Sequence, residues 1–468
     1  MADKIMADNK TQKNDESVEE MLYKKREKIY PREVHGIFAN LRNLAMVTLL
    51  GIFYGLPWLQ YDGHQAILFD LPARKFYIFG WTFWPQDFIY LTALLLIAAY
   101  ALFFFTALAG RLWCGYACPQ TVWTEIFIWF ERKFEGSRQK QMKLDKGPLN
   151  AERIMRTGGK HAAWLIFSLF TGFTFVGWFT PIESLYSDIM VGDISAWGIF
   201  WILFYSFATY GNAGWLREQV CIYMCPYARF QSVMFDKDTL LIAYDEERGE
   251  PRGARKKDAD TEKLGDCINC GLCVQVCPTG IDIRDGLQYQ CIGCAACIDV
   301  CDEVMEKVGQ PKGLVKYTTE ETLKGGKTHV FRPRIVIYAA LLLIITGALV
   351  YSIATRTPLE LDIIRDRNAL YFETDEGMIE NVYTLKVINM TNQPQNYTIT
   401  VSGIEGLTMK MRNETVDVDS GSVVEVPVRL EADPGDLKAA SSVVDFTIES
   451  NTTEGLMLTE SGRFLGPR

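Results

Sequence analysis

The chain has 468 residues, 49% of them hydrophobic, with 57 acidic against 48 basic side chains and a formal balance of −9. No basic stripe is on offer to neutralise phosphates, so a nucleic-acid partner is excluded. Apolar residues are bunched into five long blocks separated by ordinary polar sequence, the pattern of a membrane protein with large soluble parts. All 12 cysteines lie between Cys114 and Cys301 in groups of two, two and eight, which points to metal ligation and not to disulfides.

The first 20 residues are polar and charged, with no apolar core or small-residue cleavage site, and read as a disordered tail within an N-terminal segment 1–36. A bilayer core needs roughly 20 apolar residues per helix. Windows 88–109, 162–181, 194–216 and 335–355 carry no charge. A fifth, 38–58, contains Arg42 near its start, where a long side chain is expected to snorkel to the headgroups. Five transmembrane helices are therefore expected. Lys24, Lys25, Arg26, Lys28 and Arg32 precede the first window, and the loop 111–160 holds ten Lys and Arg, whereas loops 59–86 and 182–193 have two and none. The positive-inside rule then puts the N-terminus and residues 217–334 in the cytoplasm and residues 356–468 outside, which for a bacterial inner membrane is the periplasm. Every cysteine falls on the reducing side of that arrangement.

The second window ends in Cys114-Gly115-Tyr116-Ala117-Cys118-Pro119 and the fourth in Cys221-Ile222-Tyr223-Met224-Cys225-Pro226. The offset is 107 residues at both cysteines, so residues 37–236 read as two copies of one helical hairpin. Residues i and i+4 share a helix face, so each pair presents two sulfurs to one site, and the proline tends to end one helix or open another. After Pro119 the interleaving of Val122, Trp123, Ile126, Phe127, Trp129 and Phe130 with Glu125, Glu131, Arg132 and Lys133 predicts an interfacial amphipathic helix. A thiol at the start of such a helix is expected to have a lowered pKa. Four soft thiolates favour Cu(I), zinc or iron–sulfur chemistry over hard cations.

Residues 267–278 read Cys267-x2-Cys270-x2-Cys273-x3-Cys277-Pro278, and 291–301 repeat it as Cys291-x2-Cys294-x2-Cys297-x3-Cys301, with Asp302 in place of the proline. Two such runs are the signature of a ferredoxin with two 4Fe–4S clusters. Three thiolates of a run serve one cluster and the fourth reaches the other, so one cluster takes Cys267, Cys270, Cys273 and Cys301, and its neighbour Cys291, Cys294, Cys297 and Cys277. A ferredoxin-like α+β domain is expected over 237–333.

Gly325-Gly326-Lys327-Thr328 lacks the leading glycine of a phosphate loop, since Glu321 stands there, and no Cys-x-x-Cys-His marks a covalent haem. His35, His64, His161 and His329 are scattered and read as surface or interfacial residues, although His161 opens a span near the paired cysteines. A last span, 334–355, leads to residues 356–468. Their short alternating runs, among them Val382–Ile388, Tyr397–Val401, Val423–Leu430 and Val443–Ile448, predict a two-sheet immunoglobulin-like sandwich. With 10 basic and 19 acidic residues this domain is a solvated surface or a docking face.

The twin Cys-x3-Cys-Pro motifs, the eight-cysteine segment, the last span and the β-rich tail together resemble the cytochrome c oxidase accessory protein family, known as FixG, CcoG or RdxA, over nearly the whole chain. The resemblance implies reduction of Cu(II) to Cu(I) in the cytoplasm for assembly of a high-affinity haem–copper oxidase. Electrons would reach copper held by Cys114, Cys118, Cys221 and Cys225, with a copper chaperone or transporter and oxidase subunits as partners, membrane lipid around the spans, and an unnamed electron donor. Two other readings are a quinol-oxidising electron-transfer subunit and an oxidase assembly scaffold.

Overall fold

The computed structural model describes residues 28–254, 264–391 and 393–467. The tail expected over residues 1–20 lies outside them. The chain separates into two compact units, one of residues 1–55, 99–176 and 186–340, the other of 56–98, 177–185 and 341–468.

The main helices are α1 (Ile37–Gly55), α2 (Phe88–Ala109), α3 (Pro119–Glu135), α4 (Ala151–Val176), α5 (Ala196–Thr209), α6 (Pro226–Met234), α7 (Ala296–Lys307) and α8 (Pro333–Ala354), of which α2 and α8 each have residues in both units and the rest belong to the first. Among the described residues three helices are long and apolar enough to cross a membrane, Ile37–Trp58, Pro85–Ala109 and Pro333–Ala354. A fourth is counted if the pair Ile182–Val191 and Ala196–Leu216, bent by 105°, is one span. The expected window 162–181 falls in α4, which begins with Glu152, Arg153, Arg156 and Lys160 and stops at Val176. Its apolar stretch is short and is interrupted by Ser168, Thr171 and Thr174, which are buried. This stripe meets α5 closely, since a Cβ on Gly172 would stand 2.3 Å from the Ile202 carbonyl oxygen. Small residues that let two backbones approach are a common device of membrane helices.

Residues 28–36 form no helix or strand but are tied down, the Arg32 N–H donating to the Gln275 carbonyl (2.8 Å) and Lys28 and Tyr30 both reaching Asp145. The N-terminus of α1 is capped from a distance, as the backbone N–H groups of Phe38 and Ala39 donate to the Asp299 carboxylate of α7 at 3.2 and 2.7 Å. Negative charge at a helix N-terminus satisfies orphan donors and the dipole together. Asp299→Ala is expected to cost about 1–2 kcal/mol, read as a lowered melting temperature; an unchanged value would show the cap to be idle.

The second unit holds a three-stranded sheet (Ile67–Asp70, Lys75–Ile78, Trp81–Phe83) and the expected sandwich. The sandwich strands are β1 (Leu359–Arg365), β2 (Ile379–Asn389), β3 (Gln395–Ser402), β4 (Thr408–Met411), β5 (Thr415–Val418), β6 (Val423–Ala432), β7 (Ser441–Ser450) and β8 (Met457–Leu465). One sheet runs β4-β6-β2-β1, with the two-residue strand Phe372–Glu373 also on β2; the other runs β5-β3-β7-β8. Alternation sets the core: Ile379, Tyr383, Leu385 and Val387 of β2 face Tyr397, Ile399, Phe446 and Ile448 across it. The buried Tyr383 hydroxyl donates to the Arg463 carbonyl (2.9 Å), so its polar tip is not left unpaired.

Candidate functional site

Both cysteine runs fold by the same backbone device. Asn269 and Gly271 in the first, and Gly293 and Ala295 in the second, are all left-handed, with φ of 55°, 64°, 69° and 59°. These residues turn each loop so that its three cysteines face inward. One apolar cavity is lined by Cys267, Cys270, Cys273 and Cys301, with Leu272, Val300, Met305 and Leu314. A second is lined by Cys277, Cys291, Cys294 and Cys297, with Cys273 at its edge and Ile242, Ile281 and Ile283. These donor sets fit two cubane clusters, in which each thiolate binds its own iron corner. That is compatible with the finding that, among the described residues, no three metal-ligating side chains converge on a single ion. Burial pushes the Cys273 thiol up to about 11 and those of Cys294 and Cys301 to about 12. Metal loading must therefore displace protons. Cys301 sits within α7, which runs on to Lys307, and Asp302 accepts from the Gly313 N–H (2.8 Å). A proline at 302 would remove a helical N–H donor, which accounts for its absence.

The two Cys-x3-Cys-Pro motifs match in backbone as well as in spacing. Four residues before the first cysteine of each stands a left-handed residue, Gly110 (φ 56°) and Arg217 (φ 46°). Cys118 and Cys225 are both extended N-cap residues, of α3 and α6, with proline opening the helix. The structure brings the four thiols into one neighbourhood, near enough that ionising Cys118 or Cys225 would oppose ionising Cys114, and ionising any of the other three would oppose ionising Cys221. The two halves are stitched by Gln120, whose amide donates to the carbonyls of Asn212 (2.8 Å) and Arg217 (3.1 Å), and by Cys114, whose thiol donates to Gln231 (3.4 Å). The expected lowering of the thiol pKa is not found. Burial pushes Cys114 up to about 11 and Cys221 up to about 12. Cys118 is raised as well, because burial outweighs the N–H groups of Thr121 and Gln120 that face its sulfur.

The second cysteine run lies directly against the first of these motifs. A Cβ on Gly115 would stand 2.7 Å from the Gly293 carbonyl oxygen and 3.1 Å from Cys294 Cα, and one on Gly293 would stand 3.0 Å from the Arg111 carbonyl oxygen. The Arg111 guanidinium is buried, donating to the carbonyls of Tyr289, Cys291 and Ala228, and so joins the cluster loop to α6. Tyr317 donates to the Gly293 carbonyl (2.9 Å). Arg42, expected at the headgroups, instead donates to the Cys294 carbonyl. A guanidinium that donates to a backbone carbonyl makes a charge-assisted hydrogen bond, stronger than a neutral one.

Behind the thiols Glu131 and Glu135 of α3 meet Lys160 of α4 and Arg217, at 2.6 Å for Arg217–Glu131 and 2.7 Å for Lys160–Glu135. Both cations also lie over the Trp164 ring. The polar side of the predicted amphipathic helix is thus partly a buried ion network. His161 joins Tyr210 (2.9 Å) and packs among Trp164 and Trp215. Sequence reasoning missed Arg111, Gly115, Gln120 and Arg217; the only signal was their place beside the cysteine motifs.

The sequence matches models of a 4Fe–4S dicluster domain over residues 216–320, of a 4Fe–4S binding domain over 91–136, and of the IG-like fold at the C-terminus of FixG over 349–467. Protein RdxB of Cereibacter sphaeroides is 40% identical over 85% of this chain and 86% of its own length. Nitrogen fixation protein FixG of Rhizobium meliloti is 37% identical over 87% of each. Protein RdxA of Cereibacter sphaeroides is 35% identical over 93% of this chain and 96% of its own length.

Proposed function

The chain belongs to the FixG/RdxA family and is a membrane-associated iron–sulfur electron-transfer protein, and from that premise we propose that it reduces Cu(II) to Cu(I) at the four thiols of Cys114, Cys118, Cys221 and Cys225. The observation that carries this reading is the close packing of the Cys291–Cys294 loop on the Cys114 motif through Gly115, Gly293 and Arg111. Clusters held by the eight ferredoxin-type cysteines would supply reversible one-electron carriage. Each Cu(II) takes one electron, so no hydride donor is required. The thiols receive the product in soft ligation, for which two sulfurs suffice for Cu(I), and their raised pKa means that copper displaces protons as it binds. Arg111 brings a fixed positive charge to Cys291 and Cys114, which favours the reduced, more negative state. The cytoplasmic placement of this unit, the periplasmic placement of the sandwich, delivery of Cu(I) to a chaperone or transporter and service to a haem–copper oxidase belong to the same proposal.

The test is to reduce the purified protein with dithionite, remove the excess, and add Cu(II) under argon. One chelator-trapped Cu(I) per electron stored is expected, with loss of the signal when the four cysteines become serine. Clusters that stay reduced beside Cu(II) would sink the reading. Arg111→Gln is expected to lower the reduction potential measured for the protein; an unchanged titration would remove Arg111 from the electron path.

A second reading is favoured by the 4Fe–4S binding model over 91–136, which includes Cys114 and Cys118, and by the lack of a converged single-ion site among the described residues. In it the four thiols hold an iron–sulfur cluster of their own. Iron analysis separates the two: about 8 iron per chain for two cubanes, about 12 for three.

A further inference from the structure

A cavity of about 190 Å³ lies inside the first unit. One wall is a single face of α1, with Ala39, Arg42, Asn43 and Met46 at the i, i+3, i+4, i+7 spacing of a helix stripe. Cys294 and Cys221 line it too, so it touches a ligand of the proposed second cluster and one of the four membrane-edge thiols. We propose that this cavity binds the headgroup of a membrane quinol and is the point at which electrons enter the protein.

Four observations carry the assignment. Arg42 is the one charged residue of a span-length apolar helix, and a charge so placed marks a functional site more often than not. It lies in the cavity wall while donating to the Cys294 carbonyl, so an occupant that meets Arg42 sits beside the cluster loop. The lining is mixed in the way a quinol needs: Arg42 and Asn43 for ring oxygens, and Met46 and Trp129 for an apolar ring and tail. Of the other arginines of the wall, Arg217 pairs with Glu131 (2.6 Å) and Arg132 lies beside Glu125 (3.7 Å), while Arg32 is exposed, so the interior offers few uncommitted cations to the phosphates of a nucleotide donor.

A quinol leaving as quinone gives up two electrons and two protons. The electrons reduce two Cu(II) to two Cu(I), and the protons pass to water at the rim, where the exposed Glu33 and His35 also line the cavity. The copper half of this balance rests on the function proposed above; the binding half does not.

The experiment uses the full-length, cluster-loaded protein in lipid nanodiscs with a photoreactive azidoquinone. Labelling is expected on peptides carrying residues 39–46 or 116–129, and to be competed by a short-chain quinol. Met46→Trp, which fills the cavity and replaces no cysteine, is expected to reduce labelling and to slow quinol-driven bleaching of the clusters by at least about tenfold, with dithionite bleaching unchanged. Asn43→Leu, which removes a proposed ring-oxygen partner and leaves Arg42 on the cluster loop, should do the same if the bulkier variant fails to fold. Labelling elsewhere, competition by phospholipid alone, or unaltered quinol kinetics in both variants would overturn the assignment. Quinol oxidation without Cu(I) would leave the cavity assigned and remove the copper reading. Cu(I) from dithionite-reduced protein with no labelling would do the reverse.

Discussion

Replacing Gly115 by alanine is expected to strip iron from the second cysteine run and to abolish copper reduction, although the substitution adds only one methyl group. The new Cβ would stand 2.7 and 2.9 Å from the Gly293 carbonyl oxygen and carbon and 3.1 Å from Cys294 Cα. All three are backbone atoms of the loop that presents Cys291 and Cys294, so relief has to come from moving that loop. Overpacking of this kind costs about 1–3 kcal/mol, and here the strain falls on metal ligands. Gly293→Ala should behave alike, adding a left-handed φ of 69° to a 3.0 Å clash with the Arg111 carbonyl oxygen. Gly51→Ala in α1 is the control: nothing lies within 4 Å of its Cβ, and the better helix former should be neutral or stabilising by up to about 1 kcal/mol. Iron content and chelator-trapped Cu(I) are the readouts. A Gly115→Ala protein with full iron and full copper reduction would show that the two loops do not depend on their close approach.

Arg217→Met is expected to be the most destabilising single change near the thiols. The side chains of Arg217, Glu131, Lys160 and Glu135 are 7%, 2%, 5% and 0% exposed, two cations against two anions. Taking Arg217 away leaves Glu131 with Lys160 at 3.7 Å as its remaining ion partner, and that lysine is already committed to Glu135 at 2.7 Å. Breaking a buried pair from one side costs about 3–5 kcal/mol, because the surviving charge stays desolvated. The double variant Arg217→Met, Glu131→Leu restores the charge balance and should recover most of the loss. Methionine accepts the left-handed φ of 46° no better than arginine does, so the comparison between single and double variants isolates charge from strain. Thermal unfolding measures both. Equal melting temperatures for the two variants would show that the loss comes from packing on Trp164 and not from the stranded carboxylate. Arg217 stands four residues before Cys221, so the single variant should also weaken copper reduction.

The eight-cysteine segment was legible because the signature of a 4Fe–4S dicluster domain is written in two short runs of the same chemically demanding spacing. The sandwich was legible for a related reason: a strand buried on one face must alternate, and β2, β3, β6 and β7 fall on the runs that alternate. The 107-residue repeat announced the two cysteine pairs, and the structure adds the matching left-handed residues Gly110 and Arg217.

The number of spans was less secure. Hydropathy measures transfer to lipid, and α4 spends its face on neighbours: Lys160 pairs with Glu135, and Ser168, Thr171 and Gly172 face protein. The pKa of the paired thiols was misjudged for the same reason, as helix-start N–H groups are local and readable while burial belongs to the assembled fold. Sequence by itself determined what is local in the chain: which segment carries the 4Fe–4S signature, which strands alternate, which blocks are apolar. Only the tertiary structure decided which loops touch, that Arg42 turns to Cys294, that Gly115 meets Gly293, and that a cavity opens beside them, because contacts between residues more than a hundred positions apart depend on shape and desolvation that no spacing encodes.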